Sequence, residues 1–175
     1  HVMQNSVNSP GRQRPLLFEN NGLARFRNVA SAAGEYFRTD HMGRGMAAGD
    51  LDGDGDCDLV VSHSNSPVAV LENQTPHSVL PMRLRLVGTQ SSREAIGAAV
   101  TVRLNGDPQR HQITSGGSYL AESDRTVISA RGVVPEPITI RIDWPGGGIF
   151  ESTIESAHRQ ATVVEGSDRF NLTDD

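Results

Sequence analysis

GDLDGDGDCDLVV, residues 49–61, places aspartate at five alternate positions: Asp50, Asp52, Asp54, Asp56 and Asp58. Carboxylates ~4 Å apart repel by roughly 4 kcal/mol per pair at an effective dielectric near 20. A chain that crowds five of them together needs something to offset that repulsion, and a divalent cation does so directly. In a curled loop, alternate side chains converge on one point. With Asp50 as position 1, Asp52, Asp54 and Asp58 fall at positions 3, 5 and 9, and position 7, Asp56, offers a backbone carbonyl. Hard oxygen donors in this number suit Ca²⁺, which takes about 6–8 oxygens at ~2.3–2.6 Å. Histidine and thiolate are missing from the ligand positions, which disfavours softer metals. Gly55 supplies the sharp turn, Gly53 helps the backbone curl, and Leu51 and Leu59 are expected to plug the loop into apolar layers. With all five aspartates in the cage, no open position is left for chemistry and the expected role of the ion is structural.

The flanks decide which kind of loop this is. A helix–loop–helix calcium site needs a bidentate glutamate at position 12, and here that residue is Val61. GMAAG (45–49) and LVVS (59–62) read as strands. SNSP (64–67) is turn chemistry, and VAVLEN (68–73) follows as a third strand. Upstream, LLFENNGLARFRNV (16–29) holds two apolar runs around Asn21-Gly22, a hairpin signal because both residues accept positive φ. LFEN (17–20) is echoed by VLEN (70–73), 53 positions later. A period near 50 residues suits a propeller blade, with the missing blades expected upstream of His1.

Downstream, QTPHSVLP (74–81) reads as a boundary, and the alternation then becomes cleaner. MRLRLV sets Leu84 and Leu86 against Arg83 and Arg85; VTVRL sets Val100, Val102 and Leu104 against Thr101 and Arg103. ITIRIDW sets Ile138, Ile140, Ile142 and Trp144 against Thr139, Arg141 and Asp143. A period of two over such lengths marks half-buried strands. NGDP, SGGS, PEP and PGGG separate the runs, and a last short strand is expected at 161–165. The fold class is therefore all-β: a propeller-blade-like antiparallel sheet segment followed by a small β-sandwich or barrel. The expected organisation is a leader at 1–15, the blade with its metal loop at 16–76, a linker at 77–81, the sandwich at 82–166 and a tail at 167–175.

Composition narrows the function. The 16 basic residues are all arginine, the acidic residues number 21, and the net charge of −5 equals the charge of the aspartate loop. There is no basic patch of the kind that binds nucleic acid. No run approaches the ~18 apolar residues of a membrane span. Cys57 stands alone, so an internal disulfide is excluded, and the surrounding carboxylates raise rather than lower a thiol pKa. The chain opens on His1 rather than methionine and reads as a fragment or processed piece of a larger protein.

At RGMAAGDLDGDGDCDLVVSHSNSPVAVLEN the chain resembles an FG-GAP/VCBS repeat, the calcium-binding blade of integrin-type β-propellers. Its D-x-D-x-D-G-x-x-D core falls on Asp50, Asp52, Asp54, Asp56 (by its carbonyl) and Asp58. LVGTQSSREAIGAAVTV, SGGSYLAESD and IRIDWPGGG resemble the ASPIC/UnbV domain that follows such propellers in cartilage acidic protein and its bacterial relatives. Ser92 stands where that family often has Asn, and VISARG where it often has an FGLG-like turn. The resemblance implies a secreted, periplasmic or cell-surface binding protein, Ca²⁺ in the blade loop, and upstream blades of the same chain as partners. It brings no catalytic residues.

No nucleophile elbow or phosphate-binding loop is present. The six histidines include neither an i, i+4 pair nor H-x-H. For an enzyme, Asp143 beside Trp144 and Glu122 beside Asp124 are the carboxylates to inspect. Arg93 and Glu94 are expected to pair locally, with ligand contact the alternative, and Tyr119 and Trp144 are candidate sugar-stacking aromatics, with a place in the core the favoured reading for Trp144. The expected function is a calcium-binding, non-catalytic binding or adhesion module with a protein or glycan partner. The alternatives are an accessory or catalytic part of an extracellular or biosynthetic enzyme, and a purely structural propeller cap. A lone blade has open edges, and self-association of the fragment would cover them.

Overall fold

The computed structural model describes residues 11–76, 81–104, 107–129, 137–154 and 160–173. The expectations for the NGDP and PEP turns fall partly or largely outside these residues. The fold is all-β as expected, and the helical elements among the described residues are short 3₁₀ turns at Ala30–Ala32 and Tyr36–Arg38.

Strands β1 (Phe18–Asn20) and β2 (Phe26–Asn28) form the hairpin that Asn21-Gly22 announces, with Gly22 at φ 81°. Strands β3 (Gly43–Gly49), β4 (Asp58–His63) and β5 (Ala69–Leu71) then make a three-stranded antiparallel sheet in the order β3-β4-β5. The aspartate loop is the β3–β4 connection, and Gly49 pairs with Asp58 at its base.

The second half contains β6 (Met82–Val87), β7 (Ala99–Leu104), β8 (Asp107–Gln112), β9 (Gly117–Ser118), β10 (Ala121–Glu122), β11 (Val127–Ser129), β12 (Ile138–Asp143), β13 (Ile149–Ile154), β14 (Gln160–Val164) and β15 (Asn171–Thr173). Two four-stranded sheets, β11-β6-β14-β15 and β13-β12-β7-β8, enclose one core. The alternation explains it. Met82, Leu84 and Leu86 point inward from β6, and Ile138, Ile140 and Ile142 from β12, while their polar neighbours face out. Trp144 extends the β12 face and is buried, as expected. β14 pairs parallel to β6 and antiparallel to β15, so the sheet continues into Asn171–Thr173.

The two halves differ in how they are held. Fully burying a Leu or Ile side chain contributes roughly 1.5–3 kcal/mol. The sandwich has a contiguous cluster of buried apolar residues from β6, β7, β11, β12, β13 and β14. Among the described residues of the N-terminal half, Ala30 and Val61 are the buried apolar ones, while Leu16, Phe18, Leu23, Phe26, Val68 and Val70 are each more than half exposed. The N-terminal half therefore has little apolar core of its own.

The outer edge of β3 is covered by the β9–β10 hairpin and the residues after it. Met46 N–H donates to Ser118 Oγ at 2.9 Å, Ala48 N–H to Ser123 Oγ at 3.1 Å, and Asp124 N–H to the Ala48 carbonyl at 2.8 Å. Open sheet edges leave donors and acceptors unpaired, and these contacts satisfy them from outside the sheet. Gly45 makes the approach possible: a Cβ there would stand 2.4 Å from the Tyr119 carbonyl oxygen.

Candidate metal centre

The loop after β3 is wound on its own backbone. Asp50 Oδ1 accepts from Gly53 N–H at 2.8 Å and Oδ2 from Gly55 N–H at 3.0 Å. Asp52 accepts from the Asp54 amide and Asp54 from the Asp56 amide, at 3.2 and 2.8 Å. Asp58 is buried and joins two segments, with Oδ2 taking Leu51 N–H and Oδ1 taking Asn73 N–H, both at 2.8 Å. Gly53 and Gly55 sit at φ 83° and 91°, the left-handed region that glycine enters without a Cβ penalty. Gly55 is also buried against Pro81, whose Cγ would lie 2.6 Å from an added Cβ.

One carboxylate oxygen each from Asp50, Asp52 and Asp58 lies within 4.8 Å of the other two. Oxygens on opposite sides of a calcium ion are separated by roughly 4.6–5.2 Å, twice the bond length, so the three fit one ion. Asp54 and Asp56 stand outside this trio. Leu51 departs from expectation: it is 56% exposed, because Asp58 and the Asp50 turn hold its backbone while its side chain projects outward. Leu59 is half-buried.

A cation from the sandwich reaches the loop. Arg83 Nε on β6 lies 3.2 Å from Asp50 Oδ2, whose side chain is fully inaccessible to solvent. That distance is an ion pair, but Nε lacks hydrogen-bond geometry, so charge rather than a directed bond carries the contact. Burial, followed by the charge of Asp58, pushes the Cys57 thiol above its ordinary pKa, against reactivity as a thiolate.

The other singled-out residues are placed as follows. Asp143 pairs with Arg141 at 2.6 Å, which holds its carboxyl below the ordinary value; Arg141 also reaches Glu151. Glu122 pairs with Arg125. The expected Arg93–Glu94 pair is not the one made: Glu94 accepts from Arg125 at 3.1 Å, the same arginine that pairs with Glu122. Tyr119 and Leu120 form the exposed tip of the β9–β10 hairpin. His41 and His63 meet in space around Tyr36, with the His63 ring nitrogens at the Pro67 carbonyl (2.7 Å) and the Tyr36 hydroxyl (2.8 Å).

Sequence reasoning passed over Glu165. Its buried carboxylate accepts from the amides of Thr89, Gln90 and Ser91 and from the Ser91 hydroxyl, all at 2.7–2.9 Å. These bonds lower its pKa to about 2 despite burial. An acid closing an apolar strand just before Gly166 is the one signal it leaves in the sequence. An apolar cavity of about 520 Å³ opens between the N-terminal segment and the β3-β4-β5 sheet, lined by Leu16, Leu17, Phe37, Met46, Leu59 and Val61 among others.

Residues 88–169 match the family model described as ASPIC and UnbV, and the aspartate loop lies outside that match. No curated protein matches the chain. The matched segment begins one residue after β6, although β6 is central to its sheet, so the structural unit extends back to Met82.

Proposed function

We propose that this chain, with its ASPIC and UnbV domain at residues 88–169, is a calcium-stabilised, non-catalytic binding module of a larger exported or surface protein. The observation that carries the reading is the trio of Asp50, Asp52 and Asp58, with two side chains buried and their oxygens within one ion's reach. Asp50, Asp52 and Asp58 would hold the ion; its charge would offset their mutual repulsion and fix the β3–β4 connection. The blade is of the FG-GAP/VCBS type on this reading. Its exposed apolar residues and the 520 Å³ cavity are the surface offered to upstream blades of the same protein.

The experiment is a calcium titration of the whole chain by calorimetry, paired with melting curves in calcium and in EDTA. One bound calcium per chain and a higher Tm with calcium are expected, since a ligand that binds only the native state stabilises it by RT ln(1 + [L]/Kd). Identical melting curves and no heat at millimolar calcium would remove the calcium reading. The structural-cap alternative has one observation of its own, the seal that the β9–β10 hairpin places on the edge of β3. A protein or glycan array probed with the calcium-loaded chain distinguishes the two, because a pure cap gives no specific ligand.

A further inference from the structure

β6 carries two outward arginines that differ in environment. Arg83 is three-quarters buried against the aspartate loop, whereas Arg85, two positions along the same face, is exposed. The pair lies on the strand that runs into the sandwich core, so Arg83 is delivered to Asp50 by the second domain and held there by the packing of Met82 and Leu84. Pro81 closes on Gly55 from the same side, and Asp124 packs on Gly49. The loop is therefore gripped by the sandwich at its start and its turn.

We propose that Arg83 sets the affinity of the aspartate loop for a divalent cation. This inference rests on the calcium reading above and adds a residue that the aspartate pattern does not contain. When no ion is bound, the guanidinium neutralises part of the charge of Asp50. When an ion enters, the same fixed positive charge stands a few ångströms from it and opposes it. Both effects act in one direction: Arg83 lowers affinity. By linkage, an ion at Asp50 weakens the attraction between Asp50 and Arg83 to the same extent, so cation level is felt on β6.

The test is calcium affinity of the full chain by calorimetry at low ionic strength, for the wild type, Arg83→Met and Arg85→Met. Methionine keeps an unbranched stem and removes the charge. Arg83→Met is expected to bind calcium at least about tenfold more tightly, because a unit charge this close to a divalent ion interacts by well over 1.4 kcal/mol, the tenfold equivalent, at an effective dielectric near 20. Arg85→Met makes the same change in net charge from an exposed site, and is expected to stay within about twofold. Equal affinities for wild type and Arg83→Met, or equal gains in both variants, overturn the role of Arg83 while leaving the calcium site standing. Absence of calcium binding in all three chains overturns the site reading and this inference with it. Should Arg83→Met fail to fold, Arg83→Gln provides the same comparison with a polar stem.

Discussion

Gly45→Ala is the sharpest test of how the two halves are joined. Gly45 has no positive φ that would demand glycine, so the substitution tests space alone. The added methyl would stand 2.4 Å from the Tyr119 carbonyl oxygen, 3.1 Å from Ala121 Cβ and 3.2 Å from Ser62 Oγ. Relief requires the hairpin to retreat by about 1 Å, given ordinary carbon contacts of ~3.5 Å. Retreat stretches the Met46–Ser118, Ala48–Ser123 and Ala48–Asp124 hydrogen bonds together. Three bonds at roughly 0.5–1.5 kcal/mol each give about 1.5–4.5 kcal/mol, in line with the ~1–3 kcal/mol typical of overpacking. The assay is urea denaturation with hydrogen exchange at the amides of Met46, Ala48 and Asp124. The expected result is a lowered midpoint and faster exchange at those three amides, with the β12 amides accelerated by no more than the loss of global stability. A variant within ~0.5 kcal/mol of wild type, with unchanged exchange at Ala48 and Asp124, refutes the claim that this contact seals β3.

Further tests address the core and the acid response. Leu84→Ala, at a position with no exposure, is expected to cost about 2–5 kcal/mol in urea denaturation, whereas Val70→Ala, at an exposed position of β5, stays within ~0.5 kcal/mol. Equal costs would contradict the division into a packed sandwich and a sparsely packed N-terminal sheet. Glu165 has a folded pKa of about 2 against an ordinary 4.5, so its contribution is fully present above pH 4.5 and is lost as pH falls toward 2. Glu165→Gln should flatten the acid limb of the stability–pH profile in that window, and a profile parallel to wild type below pH 4.5 would count against the cradle at residues 89–91.

How much was legible depends on where each signal resides. β6, β7, β12 and β14 announce themselves because one face of each is buried, and a strand with one buried face must alternate. β8 does not. Its sequence, DPQRHQ, has no apolar face because it is the outer strand of its sheet; Pro108 is tolerated at that edge, and its apolar partners belong to β7. The aspartate loop is legible because its ligands are local, and local spacing is what a sequence shows. Arg83 is not, since its ion pair with Asp50 joins a strand of the sandwich to the distant β3–β4 loop, and the sequence shows only a strand with two arginines on its polar face. Leu51 was misread for a related reason: an apolar residue in a loop of charges suggests burial, but with the carboxylates turned inward onto amides the side chain between them is left outside.

The sealed edge of β3 has a consequence for assembly. The three-stranded sheet has one side closed by its own chain and one side, β5, without a neighbouring strand among the described residues. A sheet with two open sides can add copies head to tail without limit. A sheet with one open side can pair with a second copy only β5 to β5, related by a twofold axis, and that pairing uses up both open sides at once. Strand-to-strand association through the described β3-β4-β5 sheet therefore stops at two. The β9–β10 hairpin acts as a terminator, and fibrous growth along that sheet is closed off by geometry rather than by charge.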